Sequence, residues 1–198
     1  MDELGLSVVL GASGRGKTTL LWGVAGLHPS SSGSVHIDGE LLVKPLPDRI
    51  VMVFQDSNLL PWRTLIENIE LPFEIKRKPV NRELIDELLG VADLKGFENS
   101  YPRELSGGMK QRGSIVRALA QDPEVLLMDD PFGALAAFTR EELNLFLLKI
   151  WARTKTTIVF VTHSISDSIF LGDRVWFMSP RPVLLSRVLD VAFHRPLA

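Results

Sequence analysis

Gly11-Ala12-Ser13-Gly14-Arg15-Gly16-Lys17-Thr18-Thr19 fits the pattern G-x-x-x-x-G-K-[ST], and the fold follows from it. Ser7-Val8-Val9-Leu10 reads as a buried strand running into the loop. Glycines at 11, 14 and 16 let the backbone turn tightly and bring its N–H groups close to phosphate oxygens. Thr18-Thr19-Leu20-Leu21-Trp22 then opens a helix whose N-terminal dipole favours an anion. Lys17 is placed to reach the β- and γ-phosphates of a nucleotide and the Thr18 hydroxyl to ligate Mg²⁺. A chance glycine turn between a strand and a helix does not require the Lys-Thr pair at this spacing.

Composition sets the outer bounds. The 198 residues suffice for one α/β domain with an inserted subdomain. With 45% hydrophobic and 23% charged residues, the chain can bury a core. Lys+Arg 22 against Asp+Glu 24 leaves a net charge of -2, so no basic excess points to nucleic acid. There is no cysteine, which excludes disulfides and thiolate metal sites and fits a reducing compartment. Met1-Asp2-Glu3 is acidic where a secretion signal is basic. No apolar run approaches the ~20 residues that span a bilayer, so a link to a membrane is expected to go through a partner.

Outward from the loop, apolar runs alternate with helical patterns. Leu27-His28-Pro29-Ser30-Ser31-Ser32-Gly33 is a turn-rich connection, and Ser34-Val35-His36-Ile37-Asp38-Gly39 predicts a short antiparallel strand. Ile50-Val51-Met52-Val53-Phe54 predicts a buried parallel strand ending in Gln55. From about 59 to 121 the periodicity is helical: one helix after Thr64, one over 81–89 capped by Asn81, one after Ser106 running to about Gln121. Strands resume at Val125-Leu126-Leu127-Met128 and at residues 157–162, separated by a helix over 139–152. A helix over 165–171 and terminal strands at 174–178 and 182–188 complete the pattern. Such alternation predicts a mostly parallel sheet covered on both faces.

Three apolar strands end in polar groups: Gln55, Asp129-Asp130 and His163. In a parallel sheet all three share the edge that carries the loop, where ligands of open α/β sheets bind. Asp129, after four apolar residues, suits a Mg²⁺-binding carboxylate, and Asp130 is placed to polarise a water near the γ-phosphate. Leu105-Ser106-Gly107-Gly108-Met109 precedes a helix and is a second anion-binding device, with Ser106 a good cap. Two such devices suggest one nucleotide clamped between two copies of the domain.

These motifs, in this order from about Leu6 to about Pro196, resemble the ATPase subunits of ATP-binding cassette (ABC) transporters. Leu105–Gly108 matches the signature motif, with Met109 in place of the usual Gln; Gln55 matches the Q-loop, Asp129 the Walker B aspartate and His163 the switch histidine. Leu59-Leu60-Pro61-Trp62-Arg63-Thr64, Asp130-Pro131-Phe132-Gly133-Ala134-Leu135 and Ser179-Pro180-Arg181-Pro182 resemble the nitrate/sulfonate/taurine importer group. The resemblance implies an α/β fold: a RecA-like P-loop NTPase core with a mostly parallel sheet (1–58 and 122–198), an inserted helical subdomain (59–121) and a truncated N-terminal antiparallel β part. It implies ATP bound by residues 11–19, with Mg²⁺ on Thr18, Gln55 and Asp129 and catalysis by Asp130, His163 and Gln55. It implies a head-to-tail dimer in which Ser106, Gly107, Gly108 and Met109 contact the ATP of the partner copy. Membrane permease subunits, an extracytoplasmic substrate-binding protein and a peripheral position on the cytoplasmic face of the inner membrane follow from the same resemblance. Leu59, Leu60 and Trp62 would either receive a permease helix or be buried in the helical subdomain.

The chain departs from the family at three places. Position 130 is Asp where the family has the catalytic Glu, position 136 is Ala where its D-loop has Asp, and no residue before Gly11 supplies the aromatic that stacks on adenine. A carboxylate one methylene short is displaced by roughly 1 Å, which can lower a rate about a hundredfold. The alternative to a working importer ATPase is therefore a degenerate or truncated subunit that binds ATP and hydrolyses it poorly. A soluble cassette acting on nucleic acid or ribosomes is disfavoured by the charge and by the Leu-Leu-Pro-Trp stretch.

Overall fold

The computed structural model describes residues 5–12, 14, 16–179 and 184–191. The chain forms two compact units. The first is built from the described residues up to Met52, from Pro123–Asp130 and from Thr156 onward; the second from Val53–Asp122 and Pro131–Lys155.

The first unit is a sheet with two helices. Its strands are β1 (Leu6–Leu10), β4 (Ile50–Val53), β5 (Val125–Asp129), β6 (Thr157–Thr162), β7 (Arg174–Met178) and β8 (Leu185–Asp190), in the order β4-β5-β6-β1-β7-β8. The pairs β5–β6, β6–β1 and β1–β7 are parallel, and β8 returns antiparallel to β7. Leu126, Leu127 and Met128 are consecutive and fully buried, so both faces of the sheet are covered, as the unbroken apolar runs predict. On one face Val9, Leu21, Ala25, Ile50, Leu127 and Val161 form a single cluster, which packs α1 (Lys17–Val24) onto the sheet. The helix α6 (Ile165–Leu171) starts at Ser164, whose hydroxyl accepts from Asp167 N–H at 3.2 Å.

The register levels the strand ends. Leu10 pairs with Thr162, so Gly11 and His163 leave the sheet side by side; Asp129 pairs with Val161, and Asp130 N–H donates to the Val161 carbonyl at 2.9 Å. Two of the three predicted polar ends, Asp129-Asp130 and His163, thus share one edge of one sheet with Gly11; the third, Gln55, belongs to the second unit.

The predicted antiparallel strand over 34–39 is β2 (His36–Ile37), which turns at Asp38-Gly39 and pairs with a second strand, β3 (Glu40–Leu41), in a hairpin. Its two loop residues, Asp38 (φ 50°) and Gly39 (φ 82°), both take the left-handed conformation of a type I′ turn. Arg49 pins the hairpin, pairing with Asp38 at 2.7 Å, Glu40 at 3.1 Å and Glu124 at 2.6 Å. The predicted strand over 182–188 is β8, shifted to Leu185–Asp190; residues 180–183 lie outside the described ones.

The second unit is helical among its described residues: α2 (Leu65–Lys76), α3 (Arg82–Val91), a 3-10 turn (Pro102–Glu104), α4 (Gly107–Leu119) and α5 (Ala137–Thr154). Leu65, Ile69, Leu88, Leu89, Ile115, Leu119, Leu143 and Leu147 form its buried faces, and α4 packs against α2, α3 and α5. Three helices start on side-chain caps: Thr64 with a reciprocal Glu67, Asn81, and Ser106. The fourth, α5, starts two residues before its predicted position at Ala136, which has no capping atom to offer. Among the described residues no helix is long and apolar enough to cross a membrane.

Candidate functional site

In the first unit, β1 delivers the chain to Gly11, where a Cβ would stand 3.2 Å from Met178 Cβ. Gly14 (φ 73°) and Gly16 (φ 76°) take the left-handed conformation that favours glycine. Gly16 is the N-cap of α1 and supplies no side-chain acceptor to the first helical turn. The Lys17 side chain is buried, and its ammonium donates to the carbonyls of Gly11 at 2.7 Å and Ala12 at 2.9 Å. That folds a cation across the mouth of a loop whose helix dipole already favours negative charge. Thr18 is half-buried and Thr19 exposed; Ser13 and Arg15 lie outside the described residues.

At the adjacent strand ends, Asp129 closes β5 and is half-buried. Asp130 adopts φ 48°, a left-handed conformation that aspartate tolerates better than most residues. Its Oδ2 lies 2.8 Å from Nδ1 of His163. A carboxylate accepts, so the imidazole proton on that side sits on Nδ1. Asp130 therefore orients the exposed His163 ring. The carboxylate expected to polarise water is engaged by a neighbour.

A metal held here would meet a hydroxyl (Thr18) and a carboxylate (Asp129), hard oxygen donors that suit Mg²⁺ and not a thiophilic ion. Among the described residues no three His, Asp or Glu side chains group as a self-sufficient metal cage. Magnesium bound with a nucleotide draws on only one or two protein oxygens, and the donors present fit that use.

The second unit carries Gln55 and the Ser-Gly-Gly turn. Gln55 is exposed, in a bend just past β4. Ser106 Oγ accepts from Met109 N–H at 3.2 Å and so caps α4. A Cβ on Gly107 would stand 3.3 Å from Leu135 Cδ2 and one on Gly108 2.8 Å from Thr139 Cγ2, so α5 and the turn before it enforce both glycines. This turn, with Arg112 and Glu142, lines a cavity of about 310 Å³. Arg140 holds the 133–135 turn through the carbonyls of Gly133 (3.3 Å) and Leu135 (3.2 Å). Of the apolar residues expected either to dock a helix or to be buried, Leu59 is buried and Trp62 is 70% exposed. The Trp62 loop is braced by the buried Asn68, which bonds Leu60 N–H and the carbonyls of Leu60, Arg63 and Thr64.

Residues 3–133 match the ABC transporter family. The chain belongs to that family. Within it, this is an ATP-binding subunit, the part that hydrolyses ATP and couples the energy to transport. It is 45% identical to a taurine import ATP-binding protein of Rhizobium johnstonii, spanning 100% of this chain and 76% of that one. It is 44% identical to a nitrate import ATP-binding protein of Synechococcus elongatus, over 99% of this chain and 76% of the other. A dimeric ATP-binding cassette in a post-hydrolysis state with ADP and Pi superposes with a TM-score of 0.79 at 32% identity, covering 98% of this chain and 88% of that one.

In this ABC subunit some side chains gain importance only from the structure. Gln111 is 3% exposed and donates Nε2 to the Phe54 carbonyl at 3.2 Å. Arg117 donates to the carbonyls of Asn58 (2.8 Å) and Ser57 (2.9 Å), and burial pushes its guanidinium below the ordinary arginine value. One signal in the sequence marks Gln111: it falls on the 108-111-115-119 face of α4, where every other residue is glycine or aliphatic.

Proposed function

We propose that this subunit powers an importer of small anions of the sulfonate, taurine or nitrate type. The carrying observation is the uncapped α1 N-terminus at Gly16, with Lys17 folded over the loop carbonyls beside the level ends of β5 and β6. In this reading residues 11–19 hold the triphosphate of ATP through backbone N–H groups and Lys17. Thr18, Asp129 and Gln55 hold Mg²⁺, which supplies charge neutralisation at the phosphates when bound. Asp130 orients His163 toward the γ-phosphate. Ser106, Gly107, Gly108 and Met109 of a second copy close over the same nucleotide in a head-to-tail dimer; the related cassette is itself dimeric, which supports the pairing of two copies. The exposed Trp62, on a loop braced by Asn68, supports docking of a permease helix, which would set the subunit on the cytoplasmic face of the membrane, with a substrate-binding protein on the other side. The anion class rests on the taurine and nitrate import relatives. In liposomes with a permease and binding protein for one of these anions, the chain is expected to drive ATP-dependent uptake and to co-purify with the permease; failure of both overturns the reading.

A second reading is favoured by the 2.8 Å contact between Asp130 and His163 and by the missing side chain at Ala136: ATP binding is retained and turnover is slow. Single-turnover hydrolysis separates the two. Asp130→Glu is expected to raise a slow rate by about tenfold or more. An already fast rate that Asp130→Glu leaves unchanged removes the second reading.

A further inference from the structure

The structure assigns Gln111 and Arg117 as positioning residues for Gln55: through them helix α4, which begins at the signature turn, holds the backbone on both sides of that glutamine. The inference rests on the role proposed above for Gln55.

Beyond Val53 the segment leaves the sheet, and at Asn58 it turns through φ 48°. Two side chains of α4 take up its carbonyls. Gln111 Nε2 donates to Phe54 O, the carbonyl of the peptide joined to the Gln55 nitrogen. Arg117 spreads its fork over Ser57 O and Asn58 O, two and three residues further on. Burying an amide and a guanidinium is costly unless each is hydrogen-bonded, and here the bonds go to main-chain carbonyls of this one segment.

The rest of the contact is equally close. A Cβ on Gly113, between the two side chains in sequence, would stand 2.7 Å from Leu65 Cδ1 and 3.7 Å from Leu59 Cδ1. Asn68 ties Leu60 to Thr64 by four bonds. Residues 54–65 are therefore fastened along α4, a rod of 13 residues and about 20 Å. Displacement of its first turn, Ser106 to Met109, carries Gln55 with it. A contact made at the signature by a second copy's nucleotide thereby sets where Gln55 stands for this copy's own.

The test is a double-mutant cycle in the full chain, reading steady-state Mg-ATP turnover, ATP affinity and amide exchange of residues 54–58. Arg117→Lys and, separately, Gln111→Met are expected to lower kcat about tenfold, to change the ATP dissociation constant less than about twofold, and to speed exchange at 54–58. In a Gln55→Ala background neither is expected to lower kcat further. Additive losses overturn the inference, as does unchanged kcat with accelerated exchange. If Gln55→Ala alone leaves kcat unchanged, it is the role of Gln55 that fails. The latch is then decided by exchange, and protection retained at 54–58 in both variants overturns it.

Discussion

Two helix N-termini that the sequence marks as candidate anion sites are built in opposite ways. At α1 the cap is Gly16, left-handed and without a side-chain acceptor, and the Lys17 ammonium is bonded to loop carbonyls. At α4 the cap is Ser106, whose hydroxyl already accepts from Met109 N–H, and the glycines behind it are wedged against Leu135 and Thr139. The first end leaves its helix dipole to a ligand; the second is complete as it stands. The difference teaches which end carries affinity and which carries shape. The α1 end should govern nucleotide binding with little effect on folding, and the α4 end should govern folding and the fit of a second copy.

The largest expected effect comes from the open end. Lys17→Ala removes a charge-assisted donor, so ATP affinity should fall by about 10- to 100-fold (about 1.5–3 kcal/mol) in a fluorescent-nucleotide titration, with the melting temperature nearly unchanged. A loss of stability with affinity retained would reverse the comparison. At the closed end, Gly108→Ala drives a Cβ to 2.8 Å from Thr139 Cγ2. It should destabilise the chain by about 1–3 kcal/mol in urea unfolding, and Thr139→Ala in the same chain should restore most of that. Smaller still, Ser106→Ala should cost about 1 kcal/mol through the lost cap. Ala136→Asp, which gives α5 the acceptor it lacks, should gain about 0.5–1 kcal/mol.

The smallest effect is one of pH. The Arg49 guanidinium holds the Glu124 carboxyl below the ordinary glutamate value. A depressed folded-state value means that the pair's stabilisation is present above the unfolded value and is lost as pH falls through the folded one. The Glu124 carboxyl is about half exposed to water, so the effect is modest. The melting-temperature gap between the wild type and Glu124→Gln should close between about pH 6 and about pH 3; a gap that widens on acidification would contradict the assignment.

Much of this was legible in the sequence wherever chemistry and periodicity coincide. The loop at 11–19, the strand ends at Asp129 and His163, and the caps at Asn81 and Ser106 all announce themselves by residue type at a fixed spacing. The start of α5 was not legible, because Ala136 offers no capping signal. The return strand β3 is not legible, since two residues carry too little alternation to show the second arm of a hairpin. The latch of Gln111 and Arg117 on residues 54–58 joins positions 57 to 60 residues apart through main-chain carbonyls, which leave no trace in side-chain identity. The engagement of Asp130 with His163 depends on strand register, which residue order alone does not set.

Whether the open and closed ends meet over one nucleotide is tested most directly by sedimentation of the purified chain with and without Mg-ATP, under conditions of slow turnover. The account predicts a monomer without nucleotide, a dimer with it, and a monomer for Lys17→Ala at the same ATP concentration. A dimer independent of ATP, or a monomer saturated with bound ATP, would contradict it.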